Sequence, residues 1–215
     1  MTDTKRRKKN EGIKKETTEP EGVSQSTAMQ ERMESVSRKI LITARNELYM
    51  KMRFLDVALS CMPFIPDTGA DGMGTDGLYL YYDPQYLGGL FREDRVMVNR
   101  IYLHLVLHGI FRHMLRRKGR EERIYHLACD IVAESIIDGL QYRCVMKGRS
   151  LPRREMYRML KKKMKTLTAE RVYEVLKKEE FPETKLGQLE SDFRVDDHSY
   201  WPKDEDKKKQ SQIEN

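Results

Sequence analysis

Cysteines and long apolar runs are scarce in this chain, and each scarcity excludes a class of protein. Its 215 residues include three cysteines and no Cys-x-x-Cys pair, which argues against a disulfide framework and for a reducing compartment. The longest nearly apolar stretch, from Tyr102 to Phe111, is too short and too rich in histidine to span a bilayer. The first residues carry charges without the apolar core of a secretory signal. We therefore predict a cytoplasmic protein with no membrane-spanning segment.

Charged residues, by contrast, make up 35% of the chain, and the net charge is +7 with histidines neutral. The basic run from Lys5 to Lys9 is followed by polar sequence with almost no apolar periodicity, so residues 1–35 are predicted to be a disordered arm. Residues 203–215 form a similar mixed-charge tail. Residues 36–202 are then predicted to form one folded domain, which is long enough to build a core without disulfides.

A second concentration of positive charge lies between Arg143 and Lys165, where ten residues are Arg or Lys. One interpretation is a solvated helix face. The other is a surface that binds phosphate groups or nucleic acid. No recognised nucleic-acid motif accompanies these charges, so both interpretations stay open.

The periodicity of apolar residues predicts a mostly helical α+β fold. A short β-prone run, Leu78 to Tyr82, follows a Gly/Asp/Thr-rich turn and ends at Asp83-Pro84. Glu93 and Asp94 mark the start of the helix that carries the central histidines. The predicted helices cover residues 35–60 (with Ser35 or Ser37 as the N-cap), 93–115, 122–142, 153–165 and 168–178 (with Thr168 as the N-cap).

The most informative motif is a pair of histidines, His104 and His108, one helical turn apart in an otherwise apolar helix. This spacing places two imidazoles on one helix face, as in the zinc-binding His-Glu-x-x-His motif of metallopeptidases. A buried imidazole nitrogen without a partner costs about 1–3 kcal/mol, so the two rings need a common explanation. Zinc (Zn2+) supplies one. The alternative is a pair of metal-free core histidines bonded to nearby carboxylates.

The next helix offers carboxylates for a third zinc ligand. Asp130 and Glu134 lie on one of its faces, so antiparallel packing against the histidine helix can bring either carboxylate to the same point. Asp138 continues the stripe and is predicted to orient a histidine by a hydrogen bond. A solvent-facing acidic stripe is the alternative, although the flanking residues are apolar.

The usual catalytic base of such a site is missing. The residue after His104 is Leu105, where the metallopeptidase motif has the glutamate that activates water. Losing a general base typically costs about 10²–10⁴ in rate. Glu134 is the candidate for a replacement base if Asp130 is the ligand. A metal-binding pair without its usual base predicts weak or absent hydrolysis.

The remaining histidines have less specific patterns. His113 lies nine residues beyond His104, on the opposite face of a regular helix, so it reaches the metal only if the helix breaks first. His126 is predicted to be a surface or capping residue. His198 ends an Asp-Asp-His segment before Trp201. It belongs either to a polar loop packed by that tryptophan or to the cleft, where it would act catalytically by bonding to a bound carbonyl.

Four segments of the chain match the pattern of a known family. They are the Thr75-Asp76-Gly77 turn, the helix of His104, His108 and His113, the Leu127-Ala128-Cys129-Asp130 stretch, and Asp196-Asp197-His198 followed by Trp201. Together they resemble the metallopeptidase-type domain that accompanies von Willebrand A-like domains in bacterial proteins. The resemblance extends back over the helix of residues 38–60 and so covers most of the ordered chain.

The resemblance implies a zincin-like core in which His104 and His108 bind zinc and Asp130 is the third ligand. It also implies that the strand of residues 78–82 borders a cleft, where it would pair with an extended peptide by strand addition. The sequence departs from the family at Leu105. It also contains no Asp-x-Ser-x-Ser motif, the metal-binding motif of the von Willebrand A-like domain. The resemblance therefore does not imply the partners that the family binds through that A-like domain.

Three functions are consistent with these observations. The first is a zinc-binding, metallopeptidase-like protein that is weak or inactive as a hydrolase. The second is an active metal-dependent hydrolase that uses Glu134 as its base. The third is a metal-free helical interaction module whose residues 143–165 bind nucleic acid.

Overall fold

The structure is a computed structural model that describes residues 21–203, and it confirms a mostly helical α+β fold with a small sheet. None of the described helices is long and apolar enough to cross a bilayer. The elements in chain order are α1 (Glu21–Lys51), α2 (Asp56–Ser60), β1 (Phe64–Pro66), β2 (Met73–Thr75), β3 (Leu80–Tyr82), α3 (Pro84–Glu93), α4 (Arg95–Phe111), α5 (Glu122–Gly139), α6 (Leu151–Lys163), α7 (Ala169–Glu179) and α8 (Glu183–Phe193). Short 3-10 turns lie at residues 53–55, 113–115 and 198–200.

Helix α1 begins and ends earlier than the first helix predicted from the sequence, which covered residues 35–60. It begins at Glu21, so residues 21–35 are helical where a disordered arm was expected, while residues 1–20 and 204–215 of the predicted arm and tail lie outside the described residues. It ends at Lys51 because the backbone of Met52 leaves the helical region, with φ −134° and ψ 59°. Ser37, an expected N-cap, lies inside α1, where its hydroxyl donates a hydrogen bond to the carbonyl oxygen of Pro84 (3.1 Å).

The sheet has the strand order β1-β3-β2, with β1 parallel and β2 antiparallel to β3. A tight turn leads from β2 to β3, in which Gly77 has a φ of +89° and Asp76 accepts hydrogen bonds from the backbone of Leu78 and Tyr79. The predicted strand at residues 78–82 is therefore β3, and it is the central strand. Both of its edges are already paired, so the expected addition of a peptide strand to β3 has no free edge to use.

The predicted helix of residues 93–115 is shorter than expected. Asp94 is the N-cap of α4 and accepts a hydrogen bond from the backbone of Met97 (3.0 Å). The helix stops at Phe111 because Arg112 adopts the left-handed conformation, with a φ of 53°. A separate helix, α3, begins at Pro84 after the N-cap Asp83, and neither α3 nor α8 was predicted from periodicity. The helices α5, α6 and α7 lie close to their predicted ranges.

Two hydrophobic clusters form the core, and α5 contributes to both. The first cluster joins α1, the sheet, α3 and α4, and includes Ala133 and Ile137 of α5. The second joins α5, α6, α7 and α8 with Trp201. In α4 every residue from Val98 to His108 is buried, as its nearly uninterrupted apolar sequence predicts. The histidines of α4 therefore lie in the interior, beside α5.

Candidate metal centre

The two histidines of α4 are fully buried and point to one place. His104 and His108 have no exposed surface, and their Nε2 atoms lie 2.7 Å apart. Their rings meet edge to face, with centroids 4.4 Å apart. The one-turn spacing therefore places both imidazoles on a common face of the helix.

Two other segments complete the group. Asp130 of α5 lies with its Oδ1 3.5 Å from the Nε2 of His104 and 3.4 Å from that of His108. Asp196 and His198 approach from the segment after α8. The Nε2 of His198 is 3.1 Å from Asp130 Oδ1 and 3.1 Å from Asp196 Oδ1. Ligand atoms from all five residues lie within 4.8 Å of one another.

Apart from the contact between the Nε2 atoms of His104 and His108, four polar atoms of the group face one another without forming hydrogen bonds. Asp130 Oδ1, both carboxylate oxygens of Asp196 and His198 Nε2 are buried and have no hydrogen-bond partner, although some lie only 3.1 Å apart. An unpartnered buried polar atom costs about 1–3 kcal/mol, and a charged one costs more. A cation at the point where the atoms converge would satisfy all of them together.

The spacing of the donor atoms fits a metal ion. Ligand atoms bound tetrahedrally to zinc lie about 3.3–3.6 Å from one another, since Zn–N and Zn–O bonds measure about 2.0–2.2 Å. The histidine–carboxylate separations here run from 3.1 Å to 3.9 Å, whereas the Nε2 atoms of His104 and His108, 2.7 Å apart, would move slightly further from each other on binding. Three imidazole nitrogens and carboxylate oxygens are also a donor set that suits zinc and other first-row transition metals. The residues present therefore fit the metal that the sequence predicts.

Backbone pairing with the sheet holds Asp196 and His198 in the group. Between them, Asp197 donates its backbone N–H to the carbonyl oxygen of Met73 (2.7 Å) and forms a parallel bridge with Gly74. Its side chain accepts a hydrogen bond from the backbone of Asp71 (3.1 Å). Gly74 is required there because a Cβ would clash with the carbonyl oxygen of Asp197. We call residues 196–201 the C-terminal arm; it lies against β2, so this edge of the sheet is also occupied.

Aromatic rings cover the group on the side of the C-terminal arm. The ring of His198 packs against Trp201, with centroids 4.0 Å apart, and against His126, with centroids 4.7 Å apart. His126 was expected at the surface or at a helix end, but it lies half-buried in the middle of this aromatic cluster. Trp201 therefore packs the segment of His198, as one of the two sequence interpretations held. His198 nevertheless turns its Nε2 towards the carboxylates.

The far nitrogens of the α4 histidines are held by other residues. The Nδ1 of His104 lies 3.0 Å from Glu134 Oε1. The Nδ1 of His108 lies 2.8 Å from the Nδ1 of His113, which the left-handed turn at Arg112 brings back towards the site. Each ring is thus fixed on one side while its Nε2 faces the other donors. This is the arrangement that orients histidines at metal sites.

The position of Glu134 differs from both roles expected of it. Its carboxylate lies on the Nδ1 side of His104, outside the group of five residues, and its Oε2 pairs with Arg100 and Arg153. Both oxygens of Glu134 are therefore engaged by residues outside the group of Nε2 and carboxylate donors or by the far nitrogen of His104. Asp138 does not orient a histidine either, because its carboxylate pairs with Arg100 and accepts a hydrogen bond from the hydroxyl of Tyr157 (2.8 Å).

The charges within the group favour ionised carboxylates. Burial would raise the pKa of Asp130, but His198, His104 and His108 outweigh it and hold that pKa well below its usual range. Burial is likewise outweighed at Asp196, where His198 and His104 lower the pKa. Burial and the neighbouring charge of His104 lower the pKa of His108 to about 4. Burial is also outweighed at His104 and His198, where Asp130 and Asp196 raise the pKa, that of His198 to about 10. The carboxylates and His108 are therefore in the forms that bind a metal, whereas His104 and His198 would each lose a proton when a metal binds.

A cavity leads from the surface to this group. Its volume is about 470 Å³, and Asp130 and His198 lie in its wall beside His126. Three further acidic residues line it, and all have partners: Glu122 pairs with Arg117, Glu190 pairs with Arg123, and the carboxylate of Asp197 accepts hydrogen bonds from the backbone of Asp71 and Ser199. The donor atoms Asp130 Oδ1 and His198 Nε2 are themselves buried, so the cavity ends beside the group.

Leu105 has no exposed surface and belongs to the first hydrophobic cluster. The position that holds a catalytic glutamate in the metallopeptidase motif is here part of the core.

The three-residue segment 196–198 was visible in the sequence, but no periodicity linked it to α4, because its position depends on backbone pairing with β2.

Comparison with known proteins gives one match. Residues 36–212 match the model of a family described as a putative metallopeptidase domain. No curated protein and no solved structure matches the chain.

Proposed function

We propose that this chain, which belongs to the family described as a putative metallopeptidase domain, binds one zinc ion and hydrolyses peptides weakly or not at all. The proposed ligands come from His104, His108, Asp130, Asp196 and His198. Asp196 and His198 are additions to the set expected from sequence. Glu134 and His113 act as positioning residues that hold the two α4 histidines.

The observation that carries this proposal is the set of buried donor atoms without hydrogen-bond partners. Two ionised carboxylates in one buried group repel each other unless cations balance them. Without a metal, protonated His104 and His198 balance Asp130 and Asp196; a divalent ion would replace those two protons and leave the imidazoles neutral, the form that binds a metal. When bound there, zinc would act as a Lewis acid and lower the pKa of a water molecule.

The surroundings of the site support weak hydrolysis. Proton transfer from water needs a group within hydrogen-bond reach of it. Leu105 cannot transfer a proton, and Glu134 is bound to His104 and two arginines. The five donors also exceed the three protein ligands typical of a catalytic zinc site, so few coordination positions are left for water and substrate.

A second candidate function is an active hydrolase, and the 470 Å³ cavity beside Asp130 and His198 is the observation that favours it. A side chain of an extended peptide would enter by this cavity, since the strand edges beside the site are occupied. Its catalytic base would have to come from a carboxylate that leaves its present partner. Glu134 is such a carboxylate only if it releases His104.

Metal analysis tests the main proposal. After zinc loading and desalting, we expect one zinc ion per chain in the wild type and none in the double variant His104→Ala/His108→Ala. Asp196→Asn should bind zinc more weakly, whereas Asp192→Asn, on the nearby helix α8 and outside the group, should match the wild type. Equal metal content in the wild type and the double histidine variant would overturn the proposal.

Hydrolysis is measured separately with a library of unstructured peptides. We expect no turnover above that of chelator-treated protein. Zinc-dependent turnover of about 1 s⁻¹ or faster, lost in the double histidine variant, would refute weak or absent hydrolysis and favour the second candidate. Loss of that turnover in Glu134→Gln, with zinc still bound, would identify Glu134 as its base.

A further inference from the structure

The most basic segment of the chain surrounds a second cavity that the metal centre does not use. Between residues 143 and 165, ten residues are Arg or Lys and only Glu155 is acidic. In the structure this segment comprises α6 and the residues on either side of it. Arg154, Arg158 and Lys161 are exposed and share one face of α6, because they are four and then three residues apart.

These three cations line a cavity of about 430 Å³ between α6 and the end of α5. Arg149 contributes a fourth cation, and its guanidinium donates a hydrogen bond to the carbonyl oxygen of Asp138. We call this cavity, with its four cations, the α6 basic pocket. A concave site lined by one sign of charge concentrates its field and attracts ions of the opposite sign.

The charges of this pocket are not balanced from within the described part of the chain. Neighbouring cations of the same segment have acidic partners: Arg153 pairs with Glu134, and Lys163 with Glu179. Across residues 21–203, no ion pair joins Arg154, Arg158 or Lys161 to an acidic residue.

The one acidic residue in the wall of the pocket does not neutralise it. The carboxylate of Asp138 is already bound by Arg100, Arg153 and the hydroxyl of Tyr157. The positive charge at the mouth of the pocket is thus available to an external anion.

We infer that the α6 basic pocket binds the phosphate backbone of a double-stranded nucleic acid. Arg154 and Lys161 lie about 10 Å apart along the helix axis, which spans about three phosphates of one strand. A single phosphate would not use such a length. Arg143, Lys162 and Lys165 of the same basic segment are also exposed and add to the positive charge of this part of the chain.

The chemistry of the pocket favours a duplex over a single strand. Proteins that bind single strands usually stack bases on aromatic side chains. The aromatic residue at this pocket, Tyr157, is only 8% exposed and its hydroxyl is bound to Asp138. Arginine and lysine contacts to phosphates fix a protein on a duplex without reading its sequence, so we expect binding that is independent of base sequence.

The test measures binding of the full chain to a fluorescein-labelled 20-base-pair DNA duplex by fluorescence anisotropy over a series of salt concentrations. Each phosphate contact contributes about −0.9 to the slope of log K against log salt. The triple variant Arg154→Gln/Arg158→Gln/Lys161→Gln should therefore have a slope smaller in magnitude by about 2.7. Its three sites are exposed, so far-ultraviolet circular dichroism and zinc content should match the wild type.

A matched control removes the same charge elsewhere. Lys39→Gln/Lys51→Gln/Arg53→Gln changes three exposed cations that do not line the pocket. The control should keep the wild-type slope, and both variants retain the basic run from Lys5 to Lys9. Equal weakening in the two variants would overturn the inference in favour of a net-charge effect. Absence of duplex binding by the wild type would also overturn the inference. The same conclusion would hold if pyrophosphate or an acidic peptide bound at the pocket while the duplex did not.

Discussion

Glu134→Gln is the substitution that best separates an orienting carboxylate from a metal ligand or a general base. In the structure Glu134 Oε1 lies 3.0 Å from the Nδ1 of His104. Its Oε2 accepts hydrogen bonds from Arg100 and Arg153, and the side chains of Glu134 and Arg100 are 0% and 3% exposed. Glutamine keeps an oxygen for His104 but removes the negative charge that faces the two arginines.

The contacts of Glu134 with Arg100, Arg153 and His104 determine how much stability and zinc affinity Glu134→Gln should lose. A hydrogen bond to a charged group contributes about 1.5–3 kcal/mol, and Arg100 retains Asp138 as a charged partner. We therefore expect the free energy of unfolding of the metal-free protein to fall by about 2–3 kcal/mol. Weaker orientation of His104 should lower the zinc affinity about 10–100-fold, as for other residues that hold metal-binding histidines. The stoichiometry should remain one zinc ion per chain.

Zinc affinity is measured by competition with a chromophoric chelator, and stability by urea denaturation of the metal-free protein. Glu179→Gln is the matched control, because Glu179 pairs with Lys163 at the surface, with about a third of its side chain exposed. The control should change the free energy of unfolding by less than about 1 kcal/mol and leave the zinc affinity unchanged.

Two results would refute this reasoning. Unchanged zinc affinity in Glu134→Gln would show that Glu134 does not hold His104 for metal binding. Complete loss of zinc would place Glu134 among the ligands, as the sequence alone allowed.

Three further predictions concern the metal and the segments that support it. Zinc at about 1,000 times its Kd should stabilise the folded protein by about 4 kcal/mol relative to chelator-treated protein. Calorimetry should show this as a rise of roughly 8–16 °C in Tm. Equal melting temperatures with and without zinc would contradict a zinc site in the folded core. His113→Ala removes the partner of His108 Nδ1 and should weaken zinc binding about tenfold in the same competition assay, and an unchanged Kd would make that contact irrelevant. Gly74→Ala should displace the C-terminal arm through the clash with Asp197, which limited proteolysis would detect as faster cleavage after α8; wild-type resistance would contradict the role of this glycine.

The sequence was sufficient for the parts of the site that depend on helical periodicity. The spacing of His104 and His108, and the apolar residues around them, indicated two buried imidazoles on one face of a helix. The stripe of Asp130 and Glu134 on the following helix indicated which carboxylates lie nearby. The structure separates these two: Asp130 faces the Nε2 atoms, whereas Glu134 faces the Nδ1 of His104. Periodicity could not make that distinction, because both residues lie on one face of α5.

Contacts between distant segments were beyond prediction from local patterns. Asp196 and His198 reach the site because Asp197 pairs with β2, and that pairing joins segments more than 120 residues apart. The left-handed residue Arg112, which returns His113 to the site, is not a glycine and carries no local signal. The helix α3 was missed although Asp83-Pro84 is a favourable start for a helix, because the same dipeptide also ends strands.

The central claim is that one metal ion lies among the five donors of α4, α5 and the C-terminal arm. Anomalous diffraction recorded on either side of the zinc edge, from crystals of the zinc-loaded protein, tests it most directly. We expect one strong anomalous peak within about 2.0–2.2 Å of the Nε2 atoms of His104 and His108, with Asp130 and the Asp196–His198 segment in contact. Absence of a peak there, or a zinc ion bound elsewhere with these side chains hydrogen-bonded to one another, would contradict it.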